Sequence, residues 1–168
     1  MKNNPQTALI HAPRQAPQYI STIQPPLFRA STIIFQNTDA LFNRHWSDAY
    51  DYSYGTHGTP TTFTLGDNIA QIEGGDYCLL APSGLSAINL VNACSLAQGD
   101  EVWVADNIYG PNMEHLRNLE TRYGISVKIY NPIEVDSFQP SAQAKLIWLE
   151  AAGSVTLEFP DLVALVKK

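Results

Sequence analysis

Charged side chains are scarce in this sequence: they make up 15% of its 168 residues, against roughly 25% in a typical soluble protein. Basic residues are scarcer still, ten Lys and Arg against sixteen Asp and Glu, which leaves a formal charge of −6. No basic stripe is available to neutralise phosphates along a strand, and this argues against a nucleic-acid binder. So little charge also leaves less polar material for an exterior, so part of the surface is expected to meet other protein. Cysteine is limited to Cys78 and Cys94. Each lies in an apolar stretch and reads as a buried free thiol, because a disulfide or zinc framework needs more cysteines or a tighter spacing. No apolar run approaches the ~20 residues needed to cross a bilayer. Behind Met-Lys-Asn-Asn-Pro-Gln no apolar signal core follows, so a soluble cytoplasmic protein is expected. A hydrophobic content of 45% rules out disorder as a general description.

Several catalytic signatures are missing as well. The chain has no G-x-G-x-x-G dinucleotide fingerprint and no G-x-x-x-x-G-K-[ST] triphosphate loop. It has no G-x-S-x-G nucleophile elbow of the hydrolase type. His11, His45, His57 and His115 are scattered, with no metal-like pair at i, i+4, so no metal site is expected. Asp48 and Asp51 are close together, but in irregular sequence, and read as solvated.

What is present has two textures. Pro5, Pro13, Pro17, Pro25 and Pro26 break the first part repeatedly, and no helical period survives among them. Residues 1–60 are read as an extended arm lying over another surface, and 61–168 as a regular α/β segment. There, Phe63, Leu65, Ile69 and Ile72 give a helical face closed by Gly74-Gly75. Tyr77 to Ala81 reads as a short strand. Ala87, Leu90, Val91 and Cys94 mark a second helical face. Glu101 to Asp106 is a strand, and Met113, Leu116, Leu119 and Tyr123 form a helix closed by Gly124. Ile125 to Tyr130 and Lys145 to Glu150 are further strands, nearly continuous apolar runs of the kind covered by helices on both faces. Asp161 to Lys168 opens another helix. Strands alternating with helices predict an α/β fold with a mainly parallel sheet.

In such sheets ligands gather where strands end and helices begin. Three junctions qualify. Ser83-Gly84-Leu85 opens a helix, and its glycine and free N–H groups suit a phosphate, although a merely capped helix start has the same letters. Asp106-Asn107-Ile108-Tyr109-Gly110-Pro111 presents a tyrosine able to stack on a planar ligand, or a half-buried structural one. Glu150-Ala151-Ala152-Gly153-Ser154 places Ser154 where it binds a carboxylate or satisfies a turn.

Taken together and in this order, these junctions bring in a resemblance. Tyr54-Gly55-Thr56-His57-Gly58-Thr59-Pro60-Thr61, followed by Leu65 and Ile72-Glu73-Gly74-Gly75, resembles the cystathionine β-lyase branch of the Cys/Met-metabolism enzymes. These are pyridoxal 5'-phosphate (PLP) enzymes of the aspartate-aminotransferase fold, fold type I. The likeness runs from Pro25-Pro26-Leu27-Phe28-Arg29-Ala30-Ser31-Thr32 to the last residue. Gly58-Thr59-Pro60-Thr61 favours the β-lyase branch over γ-synthases and γ-lyases. The resemblance implies that backbone N–H groups of Gly84 and Leu85 hold the PLP phosphate and that Tyr109 stacks on the pyridine. It implies that Tyr54 reaches the phosphate of a neighbouring subunit's cofactor and that Ser154 contacts substrate or ring. The arm would lie against a partner subunit in a homo-oligomer.

Two departures accompany the likeness. The family's Tyr-x-Arg phosphate clamp reads Tyr54-Gly55-Thr56 here, and one neutral hydroxyl replaces a charged fork. A charged hydrogen bond contributes about 1.5–3 kcal/mol, so weaker cofactor binding by roughly 10- to 100-fold is expected. Ala151-Ala152 also replaces the family's Ser-Pro. The chemistry further needs a lysine amine for the Schiff base and an acidic partner for the pyridinium. Both fall after the Glu150 strand in the family, and Lys128, Lys145, Lys167 and Lys168 lack the context of that lysine. The resemblance therefore implies the first part of a carbon–sulfur lyase large domain, inactive alone, with no catalytic residue of its own. The alternatives are a non-catalytic subunit-binding fragment and a fragment of a cystathionine γ-synthase or γ-lyase.

Overall fold

The computed structural model describes residues 25–45 and 52–168. Pro5, Pro13, Pro17, His11, Asp48 and Asp51 lie outside the described residues. The chain divides into two compact units, Met1–Leu80 and Ala81–Lys168.

In the first unit, an extended stretch meets the segment before the first long helix. Thr32 and Tyr54 form an antiparallel bridge. A short helix α1 (Thr38–Phe42) starts at Asn37, whose Oδ1 accepts from Ala40 N at 2.8 Å. Helix α2 (Pro60–Glu73) begins with proline, whose missing N–H costs nothing in the first turn, and ends at Gly74 with φ 72°. Thr61 in that first turn fastens the extended stretch, accepting from Phe28 N at 2.8 Å and donating to Pro26 O at 2.9 Å. The face expected to be buried on α2 is not the one that is. Thr64, Gly66 and Ala70 are buried, whereas Leu65 and Ile72 are about half exposed. Small residues lie inward because the chain passes close by: the position of a Cβ on Gly66 lies 3.3 Å from Cys78 O. Tyr77–Ala81 is not a strand, contrary to expectation. No described strand runs beside it to complete a ladder, and Tyr77 and Leu79 are largely exposed.

The second unit is a three-stranded parallel sheet, with β1 (Glu101–Ala105) between β2 (Ser126–Tyr130) and β3 (Ala144–Trp148). These three strands fall where the apolar runs predicted them, to within a residue or two. Alternation along β1 feeds two cores. Val102 and Val104 pack with Ile108, Leu116, Ile125 and Val127 on one face, beneath helices α3 (Gly84–Ser95) and α4 (Gly110–Tyr123). Trp103 and Ala105 point to the other, where Tyr130, Phe138 and Leu165 gather. That second face is covered by a short 3-10 turn (Val135–Ser137) and helix α5 (Leu162–Val166). The edge strand β3 alternates between partly covered and exposed residues and β2 exposes Lys128 and Ile129, so neither is enclosed as its apolar run suggested.

Helix α4 turns most of its expected stripe inward, with Leu116 fully buried and Met113 and Leu119 partly so, but Tyr123 is 61% exposed; the helix ends at Gly124 with φ 70°. Helix α3 does the reverse. Ala87, Leu90, Val91 and Cys94 all face outward, and the fully buried residue is Asn92. Cys94 is accordingly exposed and Cys78 only partly covered, which corrects the expectation of two buried thiols. The reason is chemical. Asn92 donates to Asn112 Oδ1 and accepts from Trp148 Nε1, each at 2.9 Å, and this polar junction holds α3 against α4 and β3.

Candidate functional site

Parallel strands put the loops that follow them on one edge, and the carboxyl ends of β1 and β3 are neighbours there. Ala105 leads into Asp106–Tyr109 and then α4, and Trp148 leads into residues 149–158. The two loops are tied directly. Tyr109 N donates to Glu150 Oε2 at 2.9 Å, and Ser154 N donates to Asn107 O at 2.9 Å. Tyr109 is the residue before α4 and is 41% exposed, so the fold does not bury it. Ser154 is partly covered and stands at the start of a tight turn. The structure thus ties together the two loops that carry Tyr109 and Ser154.

Gly84 and Leu85 are the first two residues of α3, whose leading N–H groups have no acceptor within the helix. Ser83 caps the helix, its Oγ accepting from Ser86 N at 3.1 Å. A Cβ built on Gly84 meets nothing within 4 Å, so the space over these N–H groups is open. The helix is long enough for its dipole to favour an anion there, by roughly 0.3–1 kcal/mol at an exposed terminus. Asn92, in the last turns of α3, bonds to Asn112 in the first turn of α4 and to Trp148 at the end of β3, which fixes that part of α3 beside both elements. An open helix N-terminus and an exposed tyrosine ring suit a phosphorylated aromatic cofactor, and on these grounds the residues present fit PLP.

Tyr54 belongs to the first unit and is described there alone. It is 42% exposed, and its hydroxyl lies 3.0 Å from Ser31 Oγ.

Four residues of the second unit escaped sequence reasoning. Asn92 and Asn112 build the polar junction, and only the oddity of an asparagine among Leu90, Val91 and Ala93 hinted at it. Asn107 and Glu158 join the loops, Asn107 Nδ2 donating to Glu158 Oε2 at 2.9 Å. The Thr156 and Asn107 hydrogen bonds hold the Glu158 carboxyl below the usual carboxylate range. Burial pushes the Tyr130 phenol, which donates to Trp148 O at 2.9 Å, up to about 12, with nearby Asp106 adding to the shift.

Comparison with known proteins agrees with this fold. A family profile described as "Cys/Met metabolism PLP-dependent enzyme" matches residues 6–168. A Rhizobium johnstonii protein named for cystathionine beta-lyase activity is 35% identical over 162 residues, which cover 95% of this chain and 40% of that protein. Cystathionine beta-lyase MetC of Escherichia coli is 28% identical over 95% of this chain and 41% of its own length. The crystal structure of cystathionine gamma synthase from Xanthomonas oryzae has a TM-score of 0.81 and 25% identity, over 98% of this chain and 41% of that one. The chain therefore spans about 40% of the length of the curated relatives it matches. Among the described residues no helix is long and apolar enough to cross a membrane. The parallel α/β fold, the match over nearly the whole sequence and the relatives agree: this chain belongs to the Cys/Met metabolism PLP-dependent enzyme family.

Proposed function

We propose that this chain forms the phosphate- and ring-holding part of a PLP-dependent carbon–sulfur lyase of the cystathionine β-lyase type. The observations that carry the reading are the open space at Gly84, where α3 begins, and the exposure of Tyr109, where α4 begins. Gly84 N–H and Leu85 N–H donate to the phosphate, and no side chain at Gly84 stands between them and the anion. Tyr109 covers one face of the pyridine, and Ser154 contacts the substrate or the ring substituents. Residues 61–168 carry this half of the site, and the arm of residues 1–60 contacts a second subunit, where Tyr54 reaches the neighbouring phosphate. Bound PLP supplies an electron sink for the charge that develops at the substrate Cα. In the intact enzyme the Cβ–S bond of an L-cystathionine-like substrate breaks by β-elimination, releasing homocysteine, and hydrolysis of the remaining three-carbon enamine by one water gives pyruvate and ammonia. No residue of this chain is assigned the proton transfers at Cα. Lys128 and Lys145 lie in β2 and β3, and Lys168 Nζ pairs with Asp136 at 3.2 Å.

Pyridoxamine 5'-phosphate tests the reading without aldehyde chemistry. Titration of the full chain, followed by ligand fluorescence, is expected to show saturable binding that is lost with unphosphorylated pyridoxamine. Tyr109→Ala is expected to weaken it about tenfold, the value of roughly 1.4 kcal/mol of stacking. Equal affinity for both ligands would remove the phosphate site. With PLP itself, borohydride should leave Lys2, Lys128, Lys145, Lys167 and Lys168 without a stoichiometric adduct. A stoichiometric adduct on one of them would put the reactive amine inside this chain and overturn the division of labour.

A further inference from the structure

The loop after β3 is held in a conformation it would not choose alone. Val155 and Leu157 have φ of 68° and 62°, left-handed values that cost non-glycine residues, and β-branched ones above all, about 1–3 kcal/mol each. Such residues persist only where their surroundings fix them. The fixing contact is Asn107. Its main-chain carbonyl accepts from Ser154 N at 2.9 Å and its side-chain Nδ2 donates to Glu158 Oε2 at 2.9 Å, so one residue grips both ends of the turn. Inside the turn, Gly153 N donates to Glu158 O at 2.8 Å and Leu157 N to Gly153 O at 3.0 Å. Gly153 lies against the Asn107 carboxamide so closely that a Cβ there would sit 2.0 Å from Nδ2. Asn107 Oδ1 is buried, with no hydrogen-bond partner among the described residues.

We infer that Asn107 is the positioning residue of this loop junction: interlocked with Gly153, it clamps the 153–158 turn to the loop that carries Tyr109 and so fixes Ser154 relative to that residue. The side chains that Asn107 positions belong to the proposed cofactor site, and that consequence rests on the reading above. The interlock itself stands on the geometry.

Hydrogen exchange of the full chain without ligand tests the interlock directly. Asn107→Ala is expected to raise exchange at the Ser154 and Leu157 amides at least tenfold, with β1–β3 amides and the unfolding midpoint little changed. Gly153→Ala should do the same by pushing the carboxamide away. The double variant should be no worse than Asn107→Ala, because the obstacle to the new methyl is gone. Asn107→Asp sets a second carboxylate against Glu158, so protection should be lost at pH 7 and regained near about pH 4, where carboxyls protonate. A generic packing defect has no such pH step. Additive effects of the two single substitutions, or unchanged protection in Asn107→Ala, would overturn the interlock. Pyridoxamine 5'-phosphate affinity is measured in parallel. Failure of the natural chain to bind it defeats the cofactor reading while the exchange data still decide the interlock; intact affinity in a variant with a released turn defeats the positioning role.

Discussion

Asn92 is wholly buried, and both ends of its carboxamide are in use, toward Asn112 and toward the Trp148 indole. Deleting it strands the buried Asn112 acceptor and the partly buried Trp148 donor, each costing about 1–3 kcal/mol when left unpaired. Asn92→Ala is therefore expected to lower the unfolding free energy by roughly 2–4 kcal/mol, read by urea denaturation. Because the two asparagines share one bond, Asn92→Ala combined with Asn112→Ala should cost less than the sum of the single changes. Additivity would mean that the pair does not act as a unit. None of this was legible in the sequence, where the neighbouring Leu90, Val91 and Cys94 advertised a buried apolar face. Period describes the face of a helix, but which face goes inward depends on what the helix meets. Tyr109 and Ser154 were legible for a different reason: they lie just past apolar strands, and parallel topology alone brings such positions to one edge.

At the scale of elements, α4 is fastened to the sheet by a carboxylate. Glu120 Oε1 accepts from Val127 N in β2 at 3.0 Å, and Oε2 accepts from Arg117 Nη1 at 2.7 Å. The Val127 bond first, and the Arg117 guanidinium second, hold the Glu120 carboxyl below its ordinary value. A carboxyl depressed on folding contributes stability above its unfolded pKa, and the contribution fades as pH falls through the folded one. Glu120→Gln is expected to be less stable than the natural chain at pH 7 and to converge with it as pH falls below about 4. A gap of constant size across that range would show that the charge plays no part. The three strands and the extents of the two 14-residue helices, α2 and α4, were legible from apolar runs and from Gly74 and Gly124. Tyr77–Ala81 was misread because its composition suits a strand, while a strand also needs a partner ladder. Sequence composition carries no such information.

For the whole molecule, the outward stripe of α3 matters most. Leu90 and Val91 are each about two-fifths exposed, and Phe42, Tyr77, Leu79, Val155 and Phe159 are more exposed still. With so few charges to separate them, such side chains promote association. The chain alone is expected to bind a hydrophobic dye and to self-associate at micromolar concentration. Leu90→Glu with Val91→Lys should reduce both, with a stability change within about 0.5 kcal/mol per site, as for surface positions. A much larger loss would mean that these side chains are packed. The sheet order adds a matter of timing. The middle strand, β1, is complete at Ala105, yet its partners end at Tyr130 and Trp148. At a synthesis rate of about 5–20 residues per second, the apolar centre waits roughly 2–9 s for its second neighbour. A nascent chain of this sequence is therefore a client for whatever shields apolar strands at the ribosome, and slowing its translation should lower its yield.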